Sequence, residues 1–550
     1  MSDGSARAAR DFDAVELGIL WDRLISVADE IVETLVRTSF STIVREGYDL
    51  SVMLFDRNGR LLVQGTRSIP VFIGTAPVTL AHMLKRFPPE SLAPGDVVVT
   101  NDPIIGTGHL FDISVMRPVH RDGRLVGYTM SITHLPDIGG MGFSAVATEM
   151  FHEGLRIPIC KLYERGVINA LLVELIRENV RVPEQVIGDI LANVSCNEVG
   201  ARQLLAFMAE YEIDDLVPLS RAIRDRSEQA MREKIREIPD GIYRNRIDFE
   251  GIDGPLALAC TIDKSGDAIA IDFAGSSGTV RGGINVPFCY ARAMALYSIK
   301  CLTAPGIPNN EGSVAPVRVS APPGSILNAL PPSPTAGRHI VGHFVTPLIF
   351  GALAEAMPDR VQADTGMINI VTFQGRNRDG AAVSTLYFVA GGFGALTRQD
   401  GHPTTPGPSN MACVPVEIWE SRTGVTVESK RLLIDSGGAG TWRGGLGQEI
   451  VLRNDTGYPM TIFSMANRTE FAASGFRGGE PGAKREHRIN GAAVHPKGRQ
   501  ELQPGDRLTL REAGGGGIGD PKTRDRASLA NDIADGFVSR DAARRIYGLR

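Results

Sequence analysis

The sequence predicts an α+β fold: multi-domain and β-rich, with inserted helical blocks and glycine-rich turns. Three observations lead there. Strand-like and helix-like runs come in blocks instead of alternating as βαβ units would. Glycine supplies 62 of 550 residues and proline 33. Glycine thus stands at roughly 11 % against a usual ~7 %. It follows no collagen-like period and sits among strand-like runs, as many tight turns require. Finally, the length exceeds one ordinary domain and suffices to bury cores without a disulfide.

The elements follow in order. Residues 1–12 read as a tail. A helix comes next, because Leu20, Leu24, Val27, Ile31 and Leu35 recur at steps of three and four. A hairpin spans 50–64 and turns at Arg57-Asn58-Gly59, where Asn-Gly tolerates positive φ. Strands are expected at 96–100 and within 112–134. The pattern turns helical from 165 to 238, with amphipathic helices at 184–211 and 219–238. Strands return between 240 and 280, then helices at 286–302 and 344–357. Residues 380–512 read as strands separated by glycine turns, and a last helix as 527–547. The expected division is 1–164, 165–240, 241–410, 411–525 and 526–550, with no internal repeat.

Several classes are excluded. A net charge of −5 gives nucleic acid no basic face. No run of 18 apolar residues spans a membrane, and the first residues lack an apolar signal core. A cytoplasmic location is expected. Cys160, Cys196, Cys260, Cys289, Cys301 and Cys413 are widely spread with no CxxC pair, so neither a disulfide framework nor a thiolate zinc site is expected. They read as small buried hydrophobes.

The most informative stretch is 101–140, NDPIIGTGHLFDISVMRPVHRDGRLVGYTMSITHLPDIGG. Residues 112–119 and 125–134 read as two strands around a turn at Arg121-Asp122-Gly123. A hairpin centred on Asp122 sets His134 opposite Leu110, between His109 and Asp112. Asp137 and Asp102 lie on loops within reach of the same open end. Two imidazoles with one or two carboxylates suit a divalent metal such as Zn, Mn or Fe. Three protein ligands leave a position for water or substrate, where a metal polarises a carbonyl or acidifies its water. The other reading is that these histidines cap strand ends and the aspartates make turns. His120 is expected to be solvated in the turn, and His152 either to support the cluster or to sit at the surface. His339 and His343, ahead of an apolar helix, are expected to cap or pack.

No P-loop, GxSxG elbow or HExxH occurs. The run 514–519 satisfies GxGxxG, but too little chain follows it for a dinucleotide-binding unit. It reads as a glycine turn. The runs at 391–394 and 437–445 could line a pocket with backbone amides or form tight turns.

The order of longer motifs carries a resemblance. STIVREGYDLSVMLFDRNGRLLVQ, NDPIIGTGHLFDISVMRPV, THLPDIGG, EGLRIPICKLYERG, GDILANVSCNEVGARQL, PNNEGSVAPVRVSAPPGSILN, VPVEIWE, DSGGAGTWRGGLGQE and GGGGIGDPKTRDRASLANDIADGFVSRDAARRIYG resemble the hydantoinase B/oxoprolinase family over almost the whole chain. That family also holds the α subunit of acetone carboxylase. The resemblance implies a hetero-oligomer with a hydantoinase A-type subunit that binds ATP, which this chain does not. It implies cyclic amide substrates such as hydantoins, 5-oxoproline and lactams, or ketones in the carboxylase branch. The carboxylase HxxD pair and second histidine fall on His109, Asp112 and His134. Many hydantoinase-type members carry two adjacent histidines where this chain has His134 followed by Leu135.

The expectation is therefore a B-type subunit of an ATP-dependent cyclic amide hydrolase. The partner phosphorylates the amide oxygen, and a metal here activates water or holds the oxyanion. Asp137 and Asp102 are the candidates for a fourth ligand, a supporting group or a general base. The alternative is an α-type subunit of an ATP-dependent acetone- or acetophenone-like ketone carboxylase. A third is a scaffold subunit whose site has lapsed.

Overall fold

The computed structural model describes residues 12–550, so the expected tail falls almost wholly outside it. Asp13 starts the first helix, Ala14–Thr38, by accepting from the Val15 and Glu16 amides at 2.8 and 2.9 Å. Its Leu20, Leu24, Val27, Ile31 and Leu35 are buried together, as their spacing requires.

That face packs on an antiparallel sheet of seven strands: β1 (Leu50–Asp56), β2 (Leu61–Gln64), β3 (Val97–Thr100), β4 (Asp112–Arg121), β5 (Arg124–His134), β6 (Cys160–Glu164) and β7 (Val167–Ile168). Their order is β2-β1-β5-β4-β3-β6-β7. Both sheet faces are covered. Leu50, Val52 and Leu54 join the helical side, while Met53 and Phe55 join the larger core opposite.

The long helix Pro183–Glu210 lies against β4 and β5 and reads alternate residues of β5. Asn197 donates to Ser131 Oγ at 2.7 Å and Asn193 to Thr133 Oγ1 at 2.8 Å. Since Ser131 and Thr133 face this helix, His134 points to the other face. Leu216–Arg236 completes the helical block.

The remaining sheets are four-stranded (241–250, 255–265, 268–272, 317–320), four-stranded (368–376, 382–390, 460–464, 499–502) and five-stranded (425–432, 448–454, 486–489, 492–493, 507–511). The fold is thus mixed α and β, as expected from the blocks. No helix among the described residues is long and apolar enough to cross a membrane.

Three helical expectations change. The run 344–357 holds one shorter helix, Val345–Ala352, and a separate short helix, Arg338–Gly342, precedes it. The last helix is two, Arg526–Ala534 and Arg540–Arg545, broken at Gly536, which has φ +73°. Within the stretch read as strands, Val416–Thr423 is helical and closes on Gly424 at φ +75°.

The glycine runs at 391–394, 437–447 and 514–517 are neither isolated turns nor an amide-lined cradle. They are layered on one another, backbone against backbone. A Cβ on Gly514 would stand 1.7 Å from Ser436 O, one on Gly392 1.8 Å from Gly445 O, and one on Gly444 1.9 Å from Gly515 O. Amides stitch the layers: Gly392 to Ala513 O at 2.8 Å, Gly438 to Gly515 O at 2.8 Å and Gly515 to Gly445 O at 3.0 Å. No side chain of any kind fits between them.

Candidate metal centre

The β4–β5 hairpin turns on Asp122 and Gly123, with φ +50° and +77°, the two-residue turn that matches strand twist. A bulge between Val119 and His120 then shifts the register. His134 therefore pairs with Asp112, two residues beyond the partner that a regular hairpin centred on Asp122 would give. Directly opposed residues share a face, so His134 and Asp112 both look into the large core. His109 comes from the loop before β4. Asn101 pins that loop by donating to Leu110 O at 2.7 Å and Leu155 O at 3.0 Å, and by accepting from Ile157 N at 2.6 Å.

The three side chains converge. His109 Nε2 lies 2.9 Å from Asp112 Oδ2, and His134 Nδ1 3.2 Å from Asp112 Oδ1. The imidazole centroids are 5.1 Å apart. All three residues are buried, with donor atoms within 4.8 Å of one another. Burial, reinforced by the Arg338 charge, pushes the His109 pKa down to about 3. The ring is then neutral and carries one proton. Nδ1 sits 3.2 Å from Ala336 O, an acceptor for a ring proton. Nε2 has no hydrogen-bond partner although a carboxylate oxygen is 2.9 Å away. A ring nitrogen and a carboxylate oxygen facing one another at 2.9 Å in a buried site fit a cation bound to both. For Asp112, burial raises the pKa, but His109, His134 and Arg338 together hold it well below the usual carboxylate range.

Two further groups complete the polar cluster, and both escaped the sequence reading. Asp49, just before β1, places Oδ2 3.7 Å from His134 Nδ1, and its carbonyl accepts from the His134 amide at 3.2 Å. Burial, partly offset by His134, raises its pKa to about 6. It stands beside the cluster, outside the three residues whose donor atoms lie within 4.8 Å of one another. Arg338 donates from Nη2 to Asp112 Oδ2 at 2.9 Å and from Nε to Thr107 O at 2.5 Å. Its guanidinium lies 4.0 Å over the Tyr290 ring. A Cβ on Gly108, which has φ +100°, would meet Arg338 Cδ at 2.6 Å, so glycine there admits the arginine.

Asp137 and Asp102 are spent elsewhere. Asp137 Oδ1 accepts from Gly139 N at 3.1 Å and Arg181 Nη1 at 2.8 Å, and its other oxygen accepts from the Arg181 amide. Asp102 accepts from Ile104 N at 3.0 Å and Arg156 Nη2 at 2.5 Å. Neither lines the cavity at the cluster. His120 is not a solvated turn residue: it ends β4 half-buried, and burial lowers its pKa. His152 is exposed, 3.2 Å from Thr148 Oγ1. His339 and His343 do not cap; both are buried and line the cavity.

That cavity measures about 50 Å³, room for an ion with a few waters and far below the ~300 Å³ of a typical small-molecule site. A substrate ring enters only when the walls move. Ile69, Val71, Phe72, Met294, Ile370 and Met411 make those walls mostly apolar.

Glu153 supports the cluster from behind. Its Oε1 accepts from the Thr335 and Ala336 amides at 2.6 and 2.7 Å, which holds the Ala336 carbonyl against His109. Burial raises its pKa from an ordinary 4.5 to about 8, against the pull of those two amides. Between those values the folded chain keeps a proton that the unfolded chain has lost. Its contribution to stability is therefore full below pH 4.5 and falls as pH rises toward 8. Glu153→Gln is neutral throughout and keeps the acceptor. It should flatten this decline, worth ~1.4 kcal/mol per pH unit at most. Denaturant midpoints measured from pH 5 to 8 in both proteins check this; equal slopes would reject Glu153 as the source.

Comparison with known proteins adds the family context. The family model described as Hydantoinase B/oxoprolinase matches residues 13–521. The chain is similar to the caprolactamase subunit beta of Pseudomonas jessenii, at 30 % identity over 98 % of this chain and 96 % of that one. It is similar to 5-oxoprolinase 1 of Arabidopsis thaliana, at 28 % identity over 92 % of this chain and 42 % of that protein. The crystal structure of the ATP-dependent caprolactamase from Pseudomonas jessenii superposes with a TM-score of 0.90 at 26 % identity, covering 98 % of this chain and 96 % of that one.

Proposed function

The chain belongs to the hydantoinase B/oxoprolinase family, and from that premise we propose that it is the B-type subunit of an ATP-dependent cyclic amide hydrolase. A hydantoinase A-type partner would bind the ATP. One observation carries the reading: a buried carboxylate, Asp112, lies 2.9 and 3.2 Å from nitrogens of two buried imidazoles, with the donor atoms of all three within 4.8 Å of one another. His109, Asp112 and His134 would hold a divalent cation, with Asp49 as the fourth ligand. Two nitrogens and one or two carboxylate oxygens suit Zn, Mn or Fe. When bound, such an ion supplies Lewis acidity toward an amide oxygen or a water.

The chain's own groups do the rest. Ala336 O would accept the Nδ1 proton of His109 and so free Nε2 for the ion. Arg338 balances the charge of Asp112 and holds one of its oxygens in place. The apolar walls keep bulk water from an amide that the partner has activated by phosphorylation, which protects it from unproductive loss. Asp137 and Asp102, through Arg181 and Arg156, position the loops that flank the cluster.

The test is the complex reconstituted with its A-type partner, identified by co-purification. It would be assayed for ATP turnover against hydantoin, 5-oxoproline, caprolactam, acetone and acetophenone, with and without bicarbonate. Amide-dependent ATP turnover with ring opening is the expected result. Bicarbonate carbon incorporated into product would overturn it in favour of the ketone carboxylase.

A further inference from the structure

We propose that His339 is the hydrogen-bond donor that orients the substrate's amide group in the cavity, beside the His109–Asp112–His134 cluster and not part of it. This rests on the cyclic amide reading above and deepens it. His339 is 5 % exposed. Among the described residues it is the one histidine whose two ring nitrogens are both buried without a partner. Buried polar atoms are almost always satisfied, so a ring left wholly unsatisfied on a cavity wall is matched to something the cavity receives.

The ring is held for that role. It stacks on Phe143 with centroids 5.6 Å apart and an interplanar angle of 21°. It also lies 5.7 Å from the His343 ring. Phe143 in turn packs edgewise on His134 at 4.9 Å and His109 at 5.5 Å. The aromatic stack therefore sets the distance between His339 and the cluster. His339 is not in the group of donor atoms that lie within 4.8 Å of one another. Burial first, and the neighbouring His343 and Arg338, push its pKa well below the ordinary imidazole value. A neutral imidazole offers one N–H and one lone pair, which suits an uncharged amide. The methylenes of a lactam-type ring would lie on Ile370, Met294 and Met411.

The experiment uses the full zinc-loaded chain with ¹⁵N-labelled histidine, as wild type, His339→Gln and His339→Phe, titrated with 2-pyrrolidinone. Zinc is expected at one equivalent in all three. One imidazole signal, missing from His339→Phe, shifts during titration of the wild type. The amide Kd rises tenfold or more in His339→Phe and largely recovers in His339→Gln, whose side-chain N–H replaces the donor. Loss of zinc in His339→Phe would overturn the proposal by moving the ring into the metal shell. An unchanged Kd in His339→Phe with zinc retained would reject His339 and leave the amide reading standing. Failure of the wild type to bind 2-pyrrolidinone would reject both.

Discussion

If the proposed site holds a divalent metal, alanine at His109 or at His134 is expected to leave the purified chain with little of it. Either change removes one of two imidazoles that face a single carboxylate. Changes to supporting groups alone commonly cost 10- to 100-fold in metal affinity, and loss of a direct ligand should cost at least ~100-fold on the same scale. Competition against a chelator gives the affinity, and elemental analysis gives the occupancy. Amide-dependent turnover of the reconstituted complex should fall in parallel. Arg338→Met is the graded control, since it frees one oxygen of Asp112 without removing a ligand. Asp137→Asn is the negative control, because its carboxylate serves Arg181 and Gly139. Undiminished metal in both histidine variants would reject the site.

Gly514→Ala is expected to be the most damaging small substitution in the chain. The added carbon would fall 1.7 Å from Ser436 O, and both neighbours are backbone. Ordinary overpacking of side chains costs ~1–3 kcal/mol because rotamers can yield. Here nothing yields except the stitched layer itself, so the loss should exceed that range and appear as an unfolded or insoluble product. Gly505→Ala, with φ +88° and nothing within 4 Å, separates conformational strain from close packing and should cost ~1 kcal/mol. A Gly514→Ala protein that melts with the wild type would show that the layers can separate.

How much was legible follows from range. The helix Ala14–Thr38 could be read because its apolar spacing is local. The hairpin could be read because Asp122-Gly123 is a turn wherever it occurs. Its register differs by two residues because the turn is centred between Asp122 and Gly123, and because the bulge at Val119–His120 adds one more without a residue signature of its own. Asp49 stayed hidden because only the non-local pairing of β1 with β5, in which Leu50 meets Thr133, brings it beside His134. Arg338 and Glu153 are further cases. They reach the cluster from 226 residues beyond Asp112 and through the amides of residues 335 and 336.

By itself, then, the sequence determined the fold class, the elements whose pattern is local, and the nearness of His109, Asp112 and His134, since all three belong to one hairpin and its entry loop. Tertiary structure alone decided which carboxylates serve that set. It gave Asp137 and Asp102 to arginines and brought Asp49 beside His134. The reason is electrostatic. A buried carboxylate goes where a partner charge or amide compensates its desolvation, and those partners are assembled only when distant strands meet.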